Sequence, residues 1–134
     1  MNTLATMETR YGVSHLDHLD KQAAIPVVSQ IAFQGDVAIL RRDARGPAQA
    51  AIPAGGYPVV AGENGGNTHA VYGVGFYDPA RRSDTDLLLG TLTVPVGEQV
   101  LLSHPEHGGF LIEPGTYEMR RQREQADVIR LVQD

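Results

Sequence analysis

Residues 69–77, with the sequence HAVYGVGFY, alternate between two sets of side chains, and the interpretation of the fold starts from them. One set begins at His69, continues through Val71 and ends at Tyr77, and both glycines of the stretch belong to it. Because successive residues of a β-strand point to opposite faces, this alternation predicts a strand. Two glycines on one face predict a bulge, a sharp coil or a close approach of another backbone.

Short apolar runs, separated by turn residues, extend this pattern in both directions. Residues 34–36 (QGD) predict a turn between two strands, and residues 41–56, rich in proline and glycine, predict a loop. Residues 87–94 and 99–103 predict a hairpin across Pro95–Glu98. The runs that we interpret as strands are 27–33, 37–40, 57–61, 69–77, 87–94, 99–103, 110–112 and 116–123, with 128–132 a further strand or a short helix. So many short strands predict an all-β domain, a mainly antiparallel sandwich or small barrel.

The N-terminal residues have a different pattern, which predicts one short helix. Residues 14–24 (SHLDHLDKQAA) begin with a capping residue at Ser14 and are followed by Pro26, which cannot continue a helix. Residues 1–13 are polar and mixed, with Gly12 as a break, and we interpret them as an arm. We therefore divide the chain into an N-terminal arm with a short helix, residues 1–24, and a β-domain, residues 25–134.

The predicted helix has a narrow apolar face, formed by Leu16, Leu19 and Ala23. So small a face buries too little surface to hold a helix by itself, and a chain end that nothing holds is usually poorly ordered. We expect a homo-oligomer in which the N-terminal segment packs on a neighbouring subunit. Packing of the segment on its own β-domain is the alternative.

The composition of the chain limits the functions open to it. Its 134 residues suffice for one domain, and 42% hydrophobic against 20% charged residues allow a packed core. The net charge of −5 argues against nucleic-acid binding, because an acidic chain repels polyphosphate. The absence of cysteine excludes disulfide bonds, thiolate nucleophiles and cysteine-bound metals. No apolar run approaches the roughly 18–20 residues that span a bilayer, and no secretory signal is evident, so we expect a cytoplasmic protein without membrane contact.

Three of the five histidines form the candidate site for chemistry. His69 follows a glycine-rich loop, and His104 and His107 flank a two-residue turn. Neutral imidazoles from two loops at one end of a β-domain commonly hold a divalent metal such as zinc, with Glu63 or Glu106 completing the shell. The alternative is that residues 104–107 (HPEH) form a polar turn whose histidines cap backbone groups, while His69 is a satisfied residue at an edge.

The other histidines and the serines carry weaker signals. His15 and His18 are three positions apart on the predicted helix, and we interpret them as part of a solvated face rather than as a metal-binding pair. Ser103 lies in no motif that makes a serine nucleophilic, and its neighbour His104 points to the opposite face of a strand.

Residues 120–123 (RRQR) are the densest basic cluster. On a strand, Glu118, Arg120, Gln122 and Glu124 share a face. Because Glu118 and Glu124 flank the cluster, cross-strand ion pairing is favoured over phosphate binding. The pair Arg41–Arg42 is interpreted as loop charge.

Two stretches, 62–71 (GENGGNTHAV) and 104–124 (HPEHGGFLIEPGTYEMRRQRE), resemble a group of small bacterial and phage proteins of unknown function. Those proteins carry G-E-x-T-G-H-x-H-x-V, then H-x-E-H, then P-x-G-x-Y-x-V-x-R-Q-R-E, and Gln34–Val37 is similar to their Q-G-D-V strand start. The resemblance covers residues 34–134 and implies a clustered histidine site that can bind metal. Asn67 stands where the group has its first histidine, and an amide oxygen is a poorer ligand for zinc than imidazole.

Cupins offer a second comparison for the same residues. Cupins place metal ligands as H-x-H, a later Glu and a third His on another strand of a β-barrel. Here Asn67 and His69 occupy the first motif, and His104 or His107 the third position, but no Glu follows His69 within a few residues. The likeness favours a barrel more than cupin chemistry.

These observations lead to two functional hypotheses. The first is a non-catalytic β-module that acts by self-assembly or by binding a partner, in a phage- or prophage-like setting, where it would belong to an assembled particle. The second is a metal-dependent, cupin-like binding protein or enzyme that uses His69, His104 and His107. We favour the first, because no nucleophile–base pair is evident in the sequence.

Overall fold

Two β-sheets and one helix make up the described part of the computed structural model, which comprises residues 2–61, 68–81 and 87–121. The elements in chain order are α1 (Leu4–Tyr11), β1 (Val27–Val28), β2 (Ile31–Gln34), β3 (Val37–Arg41), β4 (Tyr57–Val60), β5 (His69–Gly73), β6 (Phe76–Pro79), β7 (Leu88–Val94), β8 (Val100–His104), β9 (Gly108–Ile112) and β10 (Gly115–Arg121). The prediction of an all-β fold with one short N-terminal helix is confirmed.

The two sheets stack face to face as a sandwich. The first sheet has the order β1-β9-β8-β5-β4 and the second β2-β3-β10-β7-β6, and all described pairs are antiparallel except β1 with β9. Side chains from both inner faces form the main core, among them Leu102 of the first sheet and Met119 of the second, each fully buried. Of the two architectures that the sequence left open, the sandwich is the one found.

Residues 69–77 form two strands in different sheets, so the prediction of one strand over this stretch is wrong. β5 pairs in the first sheet and β6 in the second, and the chain crosses between them at residues 74–75. Gly73 makes the crossing possible with a φ of +125°. A Cβ on Gly75 would lie 2.8 Å from Cγ2 of Val100. The two glycines thus mark a sharp coil, one of the interpretations that the alternation allowed.

The predicted hairpin across Pro95–Glu98 is also wrong. β7 pairs with β10 and β6, whereas β8 pairs with β5 and β9, so residues 95–98 carry the chain from one sheet to the other. The turn predicted after β2 is confirmed, because Gln34 pairs with Val37 across it. Residues 128–132 lie outside the described residues.

The helix lies earlier in the chain than residues 14–24, which form turns instead. α1 begins after Thr3, whose hydroxyl accepts from the Thr6 backbone N–H while the Thr6 hydroxyl accepts from the Thr3 backbone N–H. It ends at Tyr11 and is capped by Gly12, which has a left-handed φ of +69°. The prediction was wrong because Gly12 is a helix C-cap and not a break in an unstructured arm.

The N-terminal segment, residues 2–26, covers the outer face of the first sheet. Met7 and Ile25 form a second apolar cluster with Leu101 and Leu111, whose side chains point away from the main core. The backbone N–H of Leu16 donates to the carbonyl of Pro105 at 2.8 Å. The segment therefore packs on its own β-domain, the alternative that the sequence left open, and its part in self-association stays a prediction.

The segment that follows β3 crosses the outer face of the second sheet. The Ala48 backbone N–H donates to Oγ1 of Thr93 at 2.8 Å, and the Gln49 and Ala50 N–H groups donate to the carboxylate of Asp78. Within the described ranges, no helix is long and apolar enough to cross a membrane.

Candidate functional site

A cluster of three histidines, His69, His104 and His107, lies at one end of the sandwich. His69 is the first residue of β5 and His104 the last of β8, directly beyond the Ala70–Ser103 pair of these antiparallel strands. His107 lies in the turn that joins β8 to β9. The ring centroids are 4.2 Å apart for His69 and His104, 4.4 Å for His104 and His107, and 6.1 Å for His69 and His107. The structure thus brings together the three histidines that the sequence singled out.

Gln34, at the end of β2, orients the cluster from the opposite sheet. Its side-chain Nε2 donates to the carbonyls of Leu102 and Gly108, both at 3.1 Å, so the amide nitrogen faces the first sheet. Its Oε1 consequently accepts from Nδ1 of His69 at 2.9 Å. Gln34 is only 2% exposed, although the sequence predicts a turn residue at this position. No local pattern marks it, because its partners lie far away in the chain.

His104 acts as a backbone cap. Its Nδ1 accepts from the backbone N–H groups of Glu106 and His107, both at 3.1 Å. An imidazole nitrogen that accepts carries no hydrogen, so in the neutral ring the hydrogen is on Nε2. This is the structural alternative considered for residues 104–107, and it is confirmed for His104.

His69 is buried and neutral near pH 7. Burial lowers its pKa to about 4, and the neighbouring His104 and His107 add to the lowering, against an opposing effect of Asp36. Because Nδ1 donates to Gln34, the lone pair of the neutral ring is on Nε2. Nε2 lies 3.4 Å from Oδ1 of Asp36, whose other oxygen is 3.8 Å from Nε of Arg121.

The acids and amide named as further metal ligands do not complete a site among the described residues. Glu106 is exposed in the turn and approaches His104 through its backbone N–H. Glu63 and Asn67 lie outside the described residues. In the part of the chain that the structure describes, no three His, Asp or Glu side chains are already placed to hold a metal ion. A zinc site at His69, His104 and His107 therefore stays a prediction.

A second polar network, which the sequence did not reveal, joins Glu8, His15 and Ser103. Oε2 of Glu8 accepts from Nδ1 of His15 at 3.0 Å, and Nε2 of His15 lies 2.8 Å from Oγ of Ser103. His15 is 6% exposed, so its interpretation as part of a solvated helix face is wrong, whereas His18 is exposed as expected. Nζ of Lys21 donates to the same Glu8 oxygen at 2.9 Å.

The order of groups in this Glu8–His15–Ser103 network is that of a serine-hydrolase triad. Its surroundings differ, because Ser103 is paired on both sides within the first sheet and lies buried beneath the N-terminal segment. Ser103 as a whole is only 5% exposed. The network instead fastens the N-terminal segment to the central strand β8.

The charges of the network favour the ionised carboxylate. Burial acts to raise the pKa of Glu8, but the hydrogen bonds from Lys21 and His15 outweigh it and hold that pKa below its ordinary value. Glu8 is therefore ionised at neutral pH. The negative carboxylate accepts hydrogen bonds from Lys21 and from His15.

Arginine ion pairs gather on the outer face of the second sheet, around Glu118, which is 2% exposed. Nη1 of Arg120 lies 2.9 Å from the carboxylate, and Nε atoms of Arg42 and Arg45 lie 3.6 and 3.8 Å from it. The predicted ion pairing is found at Arg120, but Arg120 and Glu118 belong to the same strand, β10, and not to neighbouring strands. Arg42 is an ion-pair partner and not simply loop charge, which corrects that interpretation. Arg123 lies outside the described residues.

Comparisons with known proteins show the family of the chain. No curated protein and no solved structure matches it. The model of one family, described as a domain of unknown function, DUF8820, matches residues 33–122. This range holds β3 to β10 and the three histidines, and it is more than half of the chain. The protein therefore belongs to the DUF8820 family.

Proposed function

We propose that the protein is a non-catalytic β-module that assembles with a second copy of itself through the edge strand β2. β2 forms one edge of the second sheet, and its four residues include no proline and no charge. The main support for this proposal is that no described strand pairs with the outer side of β2, whereas each of the other three sheet edges has a feature that opposes pairing. An open edge strand is a ready template for pairing with another chain.

The remaining three edges each have a feature that opposes pairing. β4 contains Pro58, which has no N–H to donate, and β1 is only two residues long. β6 is covered by the preceding loop, since the N–H of Tyr77 donates to the carbonyl of Ala50 and the N–H of Ile52 to the carbonyl of Gly75. Because these features oppose pairing at β1, β4 and β6, we expect association to occur at β2.

The backbone N–H and C=O groups on the outer side of β2 point in the direction from which a partner strand would bind. The N–H of Arg41 donates to the carbonyl of Gln30 at 2.7 Å, which makes Ile31 and Leu40 a pair without mutual hydrogen bonds. By the alternation of an antiparallel ladder, the N–H and C=O groups of Ile31 and Phe33 point away from β3. These are the groups that an added strand would bind.

The side chains at this edge favour a second copy as the partner. Ile31 and Phe33 are half-buried and pack against Ala38 and Leu40 on the outer face of the second sheet. In a two-fold antiparallel pairing, Ile31 of each copy lies opposite Phe33 of the other, and aromatic–aliphatic cross-strand pairs stabilise sheets. Because β2 has no charge, two copies of a chain with net charge −5 can approach there.

The state of the polar clusters supports a non-catalytic module. Nδ1 of His69, Nδ1 of His104 and both ring nitrogens of His15 are engaged in hydrogen bonds within the fold. We interpret these hydrogen-bonded imidazoles as groups that stabilise the fold. The phage-like setting remains an expectation from the sequence resemblance.

Light scattering with an edge-blocked variant tests the proposal. Ile31→Pro removes an N–H that points away from β3 and so should leave the native sheet paired, as far-UV circular dichroism would show. Ile31→Val keeps both the N–H and the branched apolar side chain and is the matched control. We expect the wild type and Ile31→Val to be dimers or larger at micromolar concentration and Ile31→Pro to be a folded monomer. A monomeric wild type, or an Ile31→Pro protein that associates as the wild type does, would overturn the proposal.

A further inference from the structure

The turn between β2 and β3 places a carboxylate oxygen opposite an imidazole lone pair. Oδ1 of Asp36 lies 3.4 Å from Nε2 of His69. The hydrogen bond from Nδ1 of His69 to Gln34 leaves Nε2 without a hydrogen in the neutral ring. Two acceptors thus face each other, an arrangement that a cation between them would stabilise.

The orientation of the imidazole is fixed by the fold and not by chance. Gln34 cannot turn its amide over, because its Nε2 is bound to the carbonyls of Leu102 and Gly108. Metal-binding histidines usually donate their second ring N–H to an oxygen of the protein, which sets the tautomer. Gln34 supplies that oxygen for His69.

We infer that Nε2 of His69 and Oδ1 of Asp36, joined by the His107 imidazole, form a binding site for a divalent cation of the zinc type. Zinc binds imidazole nitrogen and carboxylate oxygen at about 2.1 Å, and two such ligands in tetrahedral arrangement are ~3.4 Å apart. The observed separation of the two atoms is that distance. Imidazole and carboxylate together suit zinc and its neighbours in the first transition series.

His107 is the ligand that must move. Its ring is parallel to that of His69 within 10°, and a Cβ on Gly35 would lie 2.9 Å from its Nε2 and 3.4 Å from Cε1 of His69. The rings of His69 and His107 thus both lie next to Gly35, where a larger side chain would collide with them. His107 is exposed, so turning its ring toward Asp36 needs no rearrangement of the core.

This ligand set differs from the three histidines expected from the sequence. His104 is a positioning residue, because its Nδ1 accepts two backbone hydrogens and its Nε2 then carries the ring hydrogen. Asp36 takes its place at the metal. Nε of Arg121 lies 3.8 Å from the other carboxylate oxygen, Oδ2, and Oδ1 is the oxygen that lies 3.4 Å from Nε2 of His69.

Cobalt(II) binding to the untagged full chain tests the inference, since tetrahedral cobalt sites absorb visible light strongly. We expect the wild type to bind one equivalent of cobalt and zinc to displace it. Even partners outside the coordination sphere contribute about 10–100-fold to metal affinity. Asp36→Asn and His107→Gln should therefore each weaken binding by at least about tenfold. Both side chains are exposed, so both variants should fold.

Glu106→Gln and His18→Gln are the matched controls, because each alters an exposed acid or histidine outside the ligand set. Both should bind cobalt as the wild type does. A wild type that binds no cobalt, or an Asp36→Asn protein with unchanged affinity, would overturn the site. The inference is independent of self-association, since Ile31→Pro should keep its cobalt whether it is a monomer or an oligomer.

Discussion

The imidazole of His15 and the hydroxyl of Ser103, 88 positions apart in the chain, are joined by a hydrogen bond of 2.8 Å. Ser103 belongs to a central strand of the first sheet, and His15 to the segment that covers this sheet. Glu8 holds the other side of the imidazole, so one ionised carboxylate orients a ring that accepts from the serine hydroxyl. The N-terminal segment is thus attached by a buried polar contact as well as by apolar packing.

Removal of either partner of this contact should destabilise the protein. His15→Ala and Ser103→Ala each leave a buried polar group without its partner, which costs about 1–3 kcal/mol in the free energy of unfolding. The double variant should cost less than the sum, because the second substitution removes the group that the first left unpaired. Urea denaturation of the four proteins measures this coupling. Additive losses would contradict a direct bond, and His18→Ala, at an exposed position, should change stability little.

The Glu8 carboxylate should make stability depend on acid pH. Its pKa is lowered in the folded protein, so its stabilising contribution is complete above the ordinary value of 4.5 and is lost as the pH falls through the folded pKa. Urea denaturation between neutral pH and about pH 3 should show this loss in the wild type. Glu8→Gln should already be less stable at neutral pH and should lose less on acidification. Equal acid sensitivity of the two proteins would contradict the assignment.

His69 should titrate with a pKa of about 4 and remain the Nδ1–H tautomer at neutral pH. In the unfolded chain it has its ordinary pKa of 6.5, so the unfolded state binds the proton more tightly. This group therefore lowers stability as the pH falls from 6.5 toward 4, a window above that of Glu8. Nitrogen NMR shifts of the imidazole report both tautomer and pKa. Gln34→Glu should raise the pKa of His69, since a carboxylate would favour the imidazolium.

The substitution Tyr77→Phe should make the protein more stable. Its hydroxyl is buried, no described residue offers it a hydrogen bond, and burial raises its pKa. Tyr77→Phe removes an unsatisfied polar group and should raise the free energy of unfolding by about 1 kcal/mol. A loss of stability of that size would reveal a partner for the hydroxyl.

Gly90 provides the companion test of this packing. A Cβ on Gly90 would overlap the hydroxyl of Tyr77, so Gly90→Ala should cost about 1–3 kcal/mol by overpacking. Part of this cost should disappear in combination with Tyr77→Phe, since the overlapping oxygen is then gone. Thermal unfolding of the single and double variants measures the difference.

Local patterns were enough for the fold class and for several details of the sheets. The turn at residues 34–36 follows from its glycine, and Gly35 has a φ of +58° there. The period of two after residue 116 predicted that Glu118 and Arg120 share a face, as found, and the structure places Tyr117 and Met119 of the opposite face in the core. These features depend on neighbours in the chain, so the sequence carries them directly.

The errors came from features that local patterns do not distinguish. Alternating residues look the same whether two consecutive strands share a sheet or face each other, so residues 69–77 were taken for one strand and residues 95–98 for a hairpin. The helix was misplaced because Gly12 can end a helix as well as interrupt an arm.

The sequence by itself determined an all-β domain with three histidines at strand ends, because side-chain alternation and turn residues are properties of neighbouring positions. Only the tertiary structure decided what those histidines contact. Gln34 reaches His69 because β2 ends and β5 begins at the same side of the sandwich, and His15 reaches Ser103 because the N-terminal segment folds over β8. Such contacts depend on which sheet each strand joins, and this choice is made by burial of apolar faces over the whole domain and not by any short stretch of residues.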